Sequence, residues 1–558
     1  MKARLAARLF VVTIATMLAG CATMRAGSLA GNGRPPTEPL FQGLGNHGRK
    51  ITTSSAQAQR YFDQGLSFLY AFNHDEAIRS FQRVTELDPH AAMAWWGIAI
   101  ASGPHINNPA MTAEADKAAW DALARAQNEA AKADVTEHEL ITALGARYAW
   151  PAPADRTALD AAYASAMRGV WQRHPMDPDV GALFAEAMMD LRPWNQWSPE
   201  GAPEPGTEEV LSTLDTVMAL RPDHPLALHL YIHATEASRD PGRGDIAADR
   251  LRNLQPGLGH LVHMPSHVDV RRGRWAEACT ANQKAIAADD RYHAQSPAQG
   301  FYGLYMAHNH HMLAFAAMMV GRRKVATEAI DTIVNAIPPD WSKQWAPIAD
   351  GFLAMPLEVR MRFGAWDEIL AANERDEIFP FSGAMRHYAR GVAFSAKGNT
   401  NSARGEQRAF RTAAAVVPKD LPFGNNKATD LLAIADRVLE GEIAYREGKR
   451  DAAFKSLRRA VVLEDGLRYD EPPSWILPTR HTLGAALLDA GRAKEAEQVF
   501  RTDLDRLPGN GWSLYGLARS LRMQKRTSEA DRAYADFQKA WTGADFEITS
   551  PCACLPGR

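Results

Sequence analysis

The stretch HLVHMPSH, His260 to His267, sets three imidazoles at spacings of three and four residues, which puts His260, His263 and His267 on one face of a helix. A second stretch, HLYIHATE, carries His229, His233 and Glu236 at four and three. His229 stands 34 residues before His263 and His233 stands 34 before His267, so a repeat of that period would lay the two stretches side by side. Imidazoles at i and i+4 reach one ion on bonds of about 2.0 to 2.1 Å, and two facing helices supply four nitrogens or a mixed His and Glu set. Zinc, iron and copper all take such donors. The same residues could also recognise a peptide or an anionic ligand, or satisfy buried carbonyls. HLYIHATE matches neither HExxH nor HxxEH, so protease chemistry does not follow and no reaction is assigned.

The elements that must hold these residues are short amphipathic helices, with Asp-Pro or Leu-Pro at regular intervals. In GLSFLYAFNHDEAIRSFQRVTELDP the residues Gly65, Phe68, Ala77, Phe81 and Pro89 form a register that returns at Gly484, Leu487, Ala496, Phe500 and Pro508. Ala496 to Ala530 and Pro222 to Pro256 each span 34 residues. This pattern resembles the tetratricopeptide repeat, which implies an all-α fold, an α-α superhelix of roughly a dozen helix pairs in which each first helix lines a concave surface. IHATE, PGLGHLVHMPSH and EPPSWILPTRHTLGAALLDAGR also resemble a set of uncharacterised bacterial tetratricopeptide lipoproteins, a likeness that implies a fold but no reaction.

Tetratricopeptide families bind mostly through the second, fifth, ninth and twelfth positions of the first helix. By that resemblance, counting from Pro222 puts His229, His233 and Glu236 at the fifth, ninth and twelfth, and counting from Pro256 puts His260, His263 and His267 at the second, fifth and ninth. Counting from Pro175 puts Glu186 at the ninth. AMPLEVRMRFGAWDE aligns without a gap on HMPSHVDVRRGRWAE, so Glu358 takes the place of His267 and Met355-Pro356 that of Met264-Pro265. Matching Gly321 to Gly273 adds His308 and His311 at the second and fifth positions. Pro265 requires that the helix start near Met264 or kink there. GPHINNPAM and Arg192 to Gly206 read as loops beside the groove. His47, His74, His90, His138, His174 and His293 read as solvated or hydrogen-bonding residues, Trp275 and Trp366 as packing residues, and Arg271, Arg272 and Arg274 as turn charges.

The whole chain has 558 residues, with 63 basic against 65 acidic side chains, enough for a large core but without the bulk charge that nucleic acid would call for. No nucleic-acid partner is therefore expected. Lys2, Arg4 and Arg8, an apolar run from Leu9 to Leu18 and then Leu18-Ala19-Gly20-Cys21 read as a secretion signal, 1–21, too short to span a bilayer. Its last four residues resemble the lipobox of bacterial lipoproteins, which implies lipidation of Cys21. Ala22 stands where inner-membrane retention usually shows aspartate, so the outer membrane, facing the periplasm, is expected. Residues 22–52 read as a tether, 53–541 as the solenoid and 542–558 as a tail. The spacing of Cys552 and Cys554 can hold a soft metal or a strained disulfide, but in a polar tail the two read first as a solvated pair without a role. The expected partner is a protein, a peptide or a small ligand in the groove, and the alternative is a His and Glu metal centre.

Overall fold

The computed structural model describes residues 38–198, 201–297, 300–337, 339–373 and 377–555. The expected signal peptide, Cys21 and most of the expected tether lie outside the described residues. No described helix is long and apolar enough to cross a membrane.

The described chain is built of antiparallel helix pairs of the tetratricopeptide type, and they form two compact units: 1–268 with 284–306, and 269–283 with 307–558. In the first unit, Ala56–Tyr70 packs on His74–Leu87, and Pro225–Glu236 on Thr207–Leu220 and Asp245–Leu251. The Phe81 ring fits between Gly65 of its own pair and Gly97 of the next, where a Cβ would lie 2.6 or 2.7 Å from ring carbons. In the second unit Phe500 meets Gly484 and Gly516 in the same way. The glycines let an aromatic ring close each joint, which is why the small and aromatic positions repeat together. The one sheet among the described residues is a short hairpin pairing Pro422–Phe423 with Asn426–Lys427.

Two helix starts matter for the site. Pro178–Met189 and Pro225–Glu236 each begin on proline after a capping side chain: Asp177 accepts from the Asp179 and Val180 amides, and His224 accepts from the Ala227 amide. Eight of the described turns between paired helices use a left-handed residue. Gly273, Gly321, Gly364, Gly398, Gly448 and Gly491 supply it with φ of 66 to 80°, whereas Phe72 and Lys525 take φ of 57° and 62°.

The two units have separate apolar cores. Two expectations need correction. Residues 38–52 are not a free tether: Ile51 and His47 are buried, Leu44 offers its carbonyl to Gln255, and Gly43 pairs with Gly257 through the backbone. Their Gly-rich composition reads as a linker, but Phe41, Leu44 and Ile51 give the segment apolar anchors. The tail is not solvated either, since Ile548, Cys554 and Leu555 are buried and Cys552 is disulfide-bonded to Cys554.

Candidate functional site

His229, His233, Glu236, His260, His263 and His267 all lie in the first unit, and every one of them is buried. The helix breaks at Pro265 as one of the two sequence readings required: Gly259–His263 carries His260 and His263, and Pro265–Arg271 carries His267. Burial corrects the picture of an open groove at this point, for a peptide lying along it would not touch these side chains.

Each imidazole has two nitrogens, and what holds one of them decides the use of the other. His229 Nδ1 lies 2.9 Å from the Tyr70 carbonyl, which can only accept. Nδ1 therefore carries the proton and Nε2 keeps a lone pair. Tyr70 ends its helix, so its carbonyl is one of those left without an intrahelical donor. His233 Nδ1 donates to Glu236 Oε1 at 2.9 Å, while its Nε2 is buried and has no hydrogen-bond partner among the described residues. His267 Nδ1 donates to Glu236 Oε2, so one carboxylate orients two rings. Burial works to raise the Glu236 carboxyl, but His267 and His233 outweigh it and pull it down to about 2. Glu236 is thus an anion whose oxygens both face Nδ1 atoms.

The nitrogens left over converge. His229 Nε2 and His260 Nε2 are 3.2 Å apart, and His229, His233 and His260 each offer a nitrogen within 4.8 Å of the other two. A tetrahedral ion on bonds of about 2.0 to 2.1 Å sets its ligand nitrogens about 3.3 Å apart. The 3.2 Å pair already has that spacing. Burial, and then the neighbouring His233, hold His229 well below the usual imidazole value; burial also lowers His233 against the pull of Glu236. Both rings are therefore neutral, the form that ligates metals. His263 Nε2 and His267 Nε2 approach to 2.7 Å, a second nitrogen pair close enough to need a proton or a cation between them. The repeat period matched His229 with His263, but the neighbour that the structure brings to it is His260. First helices cross at an angle, so equivalent positions are not nearest neighbours.

Aromatic rings close the site, and sequence reading missed them. Phe72 sits 4.4 Å from the His229 ring and 5.8 Å from that of His260. Trp194 meets His233 edge-on at 5.3 Å, and Tyr305 lies 4.5 Å from His260. Phe72 and Trp194 are two of the three non-glycine residues with positive φ in the described chain, at 57° and 59°. That conformation costs a bulky residue about 1 to 2 kcal/mol, and such strain collects at functional sites. The expected loops do border the site: Trp194 belongs to one, and His105 of the other packs on Phe72 at 4.7 Å.

A second histidine and carboxylate cluster in the same unit went unread. Asp179 Oδ1 receives His47 Nε2 at 3.0 Å, His224 Nε2 at 3.1 Å and the Tyr70 hydroxyl at 2.8 Å, and Arg49 Nη1 reaches Oδ2 at 3.3 Å. His224 Nδ1 accepts the Ala227 amide, so its proton sits on Nε2 and points at Asp179. Burial would raise the Asp179 carboxyl, but the hydrogen bonds from His224 and His47 hold it well below the usual range. A carboxylate surrounded by donors ties segments together: His224 spends both ring nitrogens here, although His47, Asp179 and His224 also place one ligating atom each within 4.8 Å of the others.

The other expected residues lie elsewhere. Glu186, in the first unit, is pushed up to about 8 by burial and then by Asp190, and it is not among the residues that converge with the histidines. In the second unit Glu358 is pushed up to about 8 by burial, His311 is buried and pushed down to about 4, and His308 is half-buried. Trp275 is buried there and donates to the Pro508 carbonyl at 2.7 Å, and Arg274 pairs with the buried Asp269.

No protein-family model matches the chain, and no curated protein matches it. Among solved structures, the human IFIT1 dimer with PPP-AAAA is 12% identical with a TM-score of 0.32, over 87% of this chain and 91% of that one. The human IFIT1 dimer with m7Gppp-AAAA gives 12%, 0.32, 88% and 91%. The APC/C hetero-tetramer Cut9-Hcn1 gives 12%, 0.29, 87% and 74%. Scores at this level carry nothing about ligands, and the repeat type rests on the helix pairs and their glycine-aromatic joints.

Proposed function

We propose that this tetratricopeptide-type protein binds a transition-metal ion inside its first unit, through Nε2 of His229, His233 and His260. The observation that carries the reading is the commitment of the Nδ1 atoms of His229 and His233 to the Tyr70 carbonyl and to Glu236, which leaves their Nε2 lone pairs unspent in a buried place where His229, His233 and His260 each bring a nitrogen within 4.8 Å of the others. Acceptors behind the ligating rings fix the tautomer and raise ligand basicity, and their loss costs about 10- to 100-fold in metal affinity. Three nitrogens suit zinc, copper or iron. A closed, aromatic-lined position fits the holding of an ion; no turnover is proposed. The test is the metal content of protein purified without a histidine tag, set beside His229→Ala with His233→Ala, and beside Glu236→Gln. The expected result is about one equivalent in the wild type, none in the double variant and a weakened affinity in Glu236→Gln. Wild-type protein that neither carries metal nor takes up added Zn²⁺, Cu²⁺ or Fe²⁺ would sink the proposal.

The setting proposed for this protein is the cell envelope, by lipidation of Cys21 and anchoring to the outer membrane facing the periplasm, with a protein partner on the exposed faces of the repeats. Leu18-Ala19-Gly20-Cys21 after an apolar run supports the anchor, and the Cys552–Cys554 disulfide is the oxidised state usual outside the cytosol. Expressed in a Gram-negative host, the chain should incorporate labelled fatty acid and Cys21→Ser should not; equal labelling of the two would refute the anchor.

A further inference from the structure

The C-terminal residues of the second unit carry a site of different chemistry. Thr549 offers its carbonyl to the Arg519 guanidinium at 3.0 Å, and Cys554 offers its carbonyl to Arg446 at 2.9 Å, so the segment is seated on the helices Gly511–Met523 and Ala428–Arg446. Beneath it is a cavity of about 30 Å³, lined by Tyr388, Glu442, Trp475, Thr482 and both tail cysteines. That volume holds one water or one ion. Glu442 is 4% exposed, it lines this cavity, and its Oε2 has no hydrogen-bond partner among the described residues. A carboxylate oxygen buried without a donor is costly unless something positive or protonated meets it. One carboxylate oxygen of Glu442 and the two sulfurs all lie within 4.8 Å of one another.

We propose that, with the disulfide reduced, Cys552, Cys554 and Glu442 bind a thiophilic divalent cation that fastens the C-terminal segment to the second unit. A dithiol reductant supplies two electrons and two protons: its own sulfurs join as a disulfide while the Cys552–Cys554 bond opens to two thiols. The cation then displaces both thiol protons to solvent and takes two thiolates and the carboxylate. Sulfurs on bonds of about 2.3 Å to one tetrahedral ion stand about 3.8 Å apart. A pair whose Cα atoms are 5.3 Å apart reaches that separation by side-chain rotation. Thr482 Oγ1, 3.5 Å from Cys552 Sγ, adjoins the fourth position. Sulfur donors separate this site from the imidazole centre of the first unit, since thiolates select soft and borderline cations.

Cobalt(II) is the probe, because thiolate ligation gives a near-ultraviolet charge-transfer band that imidazole and carboxylate do not. The full chain is titrated with Co²⁺ in its oxidised form and after reduction by a water-soluble phosphine standing in for the dithiol, with folding followed by circular dichroism. The expected result is a band reaching about one equivalent in the reduced chain only, lost in Cys552→Ser with Cys554→Ser, and at least about 10-fold weaker binding in Glu442→Gln. The absence of a band in the reduced, folded chain overturns the proposal, as does a disulfide that opens only when the chain unfolds. Undiminished affinity in a folded Glu442→Gln overturns the role of the carboxylate. The oxidised and reduced wild type carry the test if a variant does not fold. Loss of the imidazole centre would leave the band in place, so failures of the two sites are told apart.

Discussion

Two clusters in the first unit use the same residue types to opposite ends. Around Glu236, the carboxylate takes Nδ1–H from His233 and His267; the Nε2 of His267 then faces that of His263, and the buried Nε2 of His233 has no hydrogen-bond partner among the described residues. Around Asp179, the carboxylate takes Nε2–H from His224, and His47 also faces it through Nε2, so the ring edges that could ligate are spent on the anion. Histidine beside a carboxylate is therefore not itself a metal signal; which nitrogen the carboxylate holds decides the matter. Tyr70 links the two, giving its carbonyl to His229 and its hydroxyl to Asp179.

The largest expected effect divides these roles. Asp179→Asn puts an amide NH₂ among the donors His47, His224 and Tyr70, while Arg49 keeps Asp177 at 2.9 Å, so it should lower folding stability by about 3 to 5 kcal/mol, the loss of about two hydrogen bonds to a buried charge. Metal content per folded molecule should stay at the wild-type level. His229→Ala with His233→Ala should do the reverse: the metal is lost, and the metal-free chain, in which Glu236 keeps His267 as a donor, gives up only about 1 to 3 kcal/mol. Denaturant unfolding of chelator-treated protein with parallel elemental analysis measures both quantities. If Asp179→Asn empties the folded protein of metal as the histidine pair does, the clusters act as one site through Tyr70 and the contrast between them fails.

Much of the scaffold was legible because it is local and periodic. Gly65 with Phe81 and Gly484 with Phe500 announce the helix-pair joint, and Pro265 announces a break that the chain realises as a kink. The six residues His229 to His267 were also legible, since their spacing marks one face of two helices. Their pairing was not: the period equates His229 with His263, while the crossing of the helices brings His260 to it. Nor was the role of Glu236, which depends on a proton position. Asp179 and His47 stand 132 residues apart, and the Gly-rich composition around His47 reads as a linker, so no local pattern joins them. The balance of 63 basic and 65 acidic residues describes the whole chain and is blind to local patches, so the exclusion of nucleic acid drawn from it goes no further.

Phe72 gives the smaller and sharper test of the comparison, because it touches one cluster and not the other. It occupies the turn position that glycine fills in six other places, and its ring lies against His229 and His260. A residue chosen for turn geometry alone would be glycine. Phe72→Gly removes a fully packed ring, a loss of about 3 to 5 kcal/mol by large-to-small precedent, and recovers about 1 to 2 kcal/mol of left-handed strain. The net loss should be about 1 to 4 kcal/mol, below the full cost of the ring, with the histidine ligands and the Asp179 tie intact. Metal should still bind at one equivalent, but a chelator should strip it faster, since the ring that shields the Nε2 edges is gone. Stopped-flow removal of Co²⁺ by a chromogenic chelator measures the rate. An unchanged rate would mean that the strained ring serves packing alone, and the coincidence of strain with the histidines would lose its functional meaning.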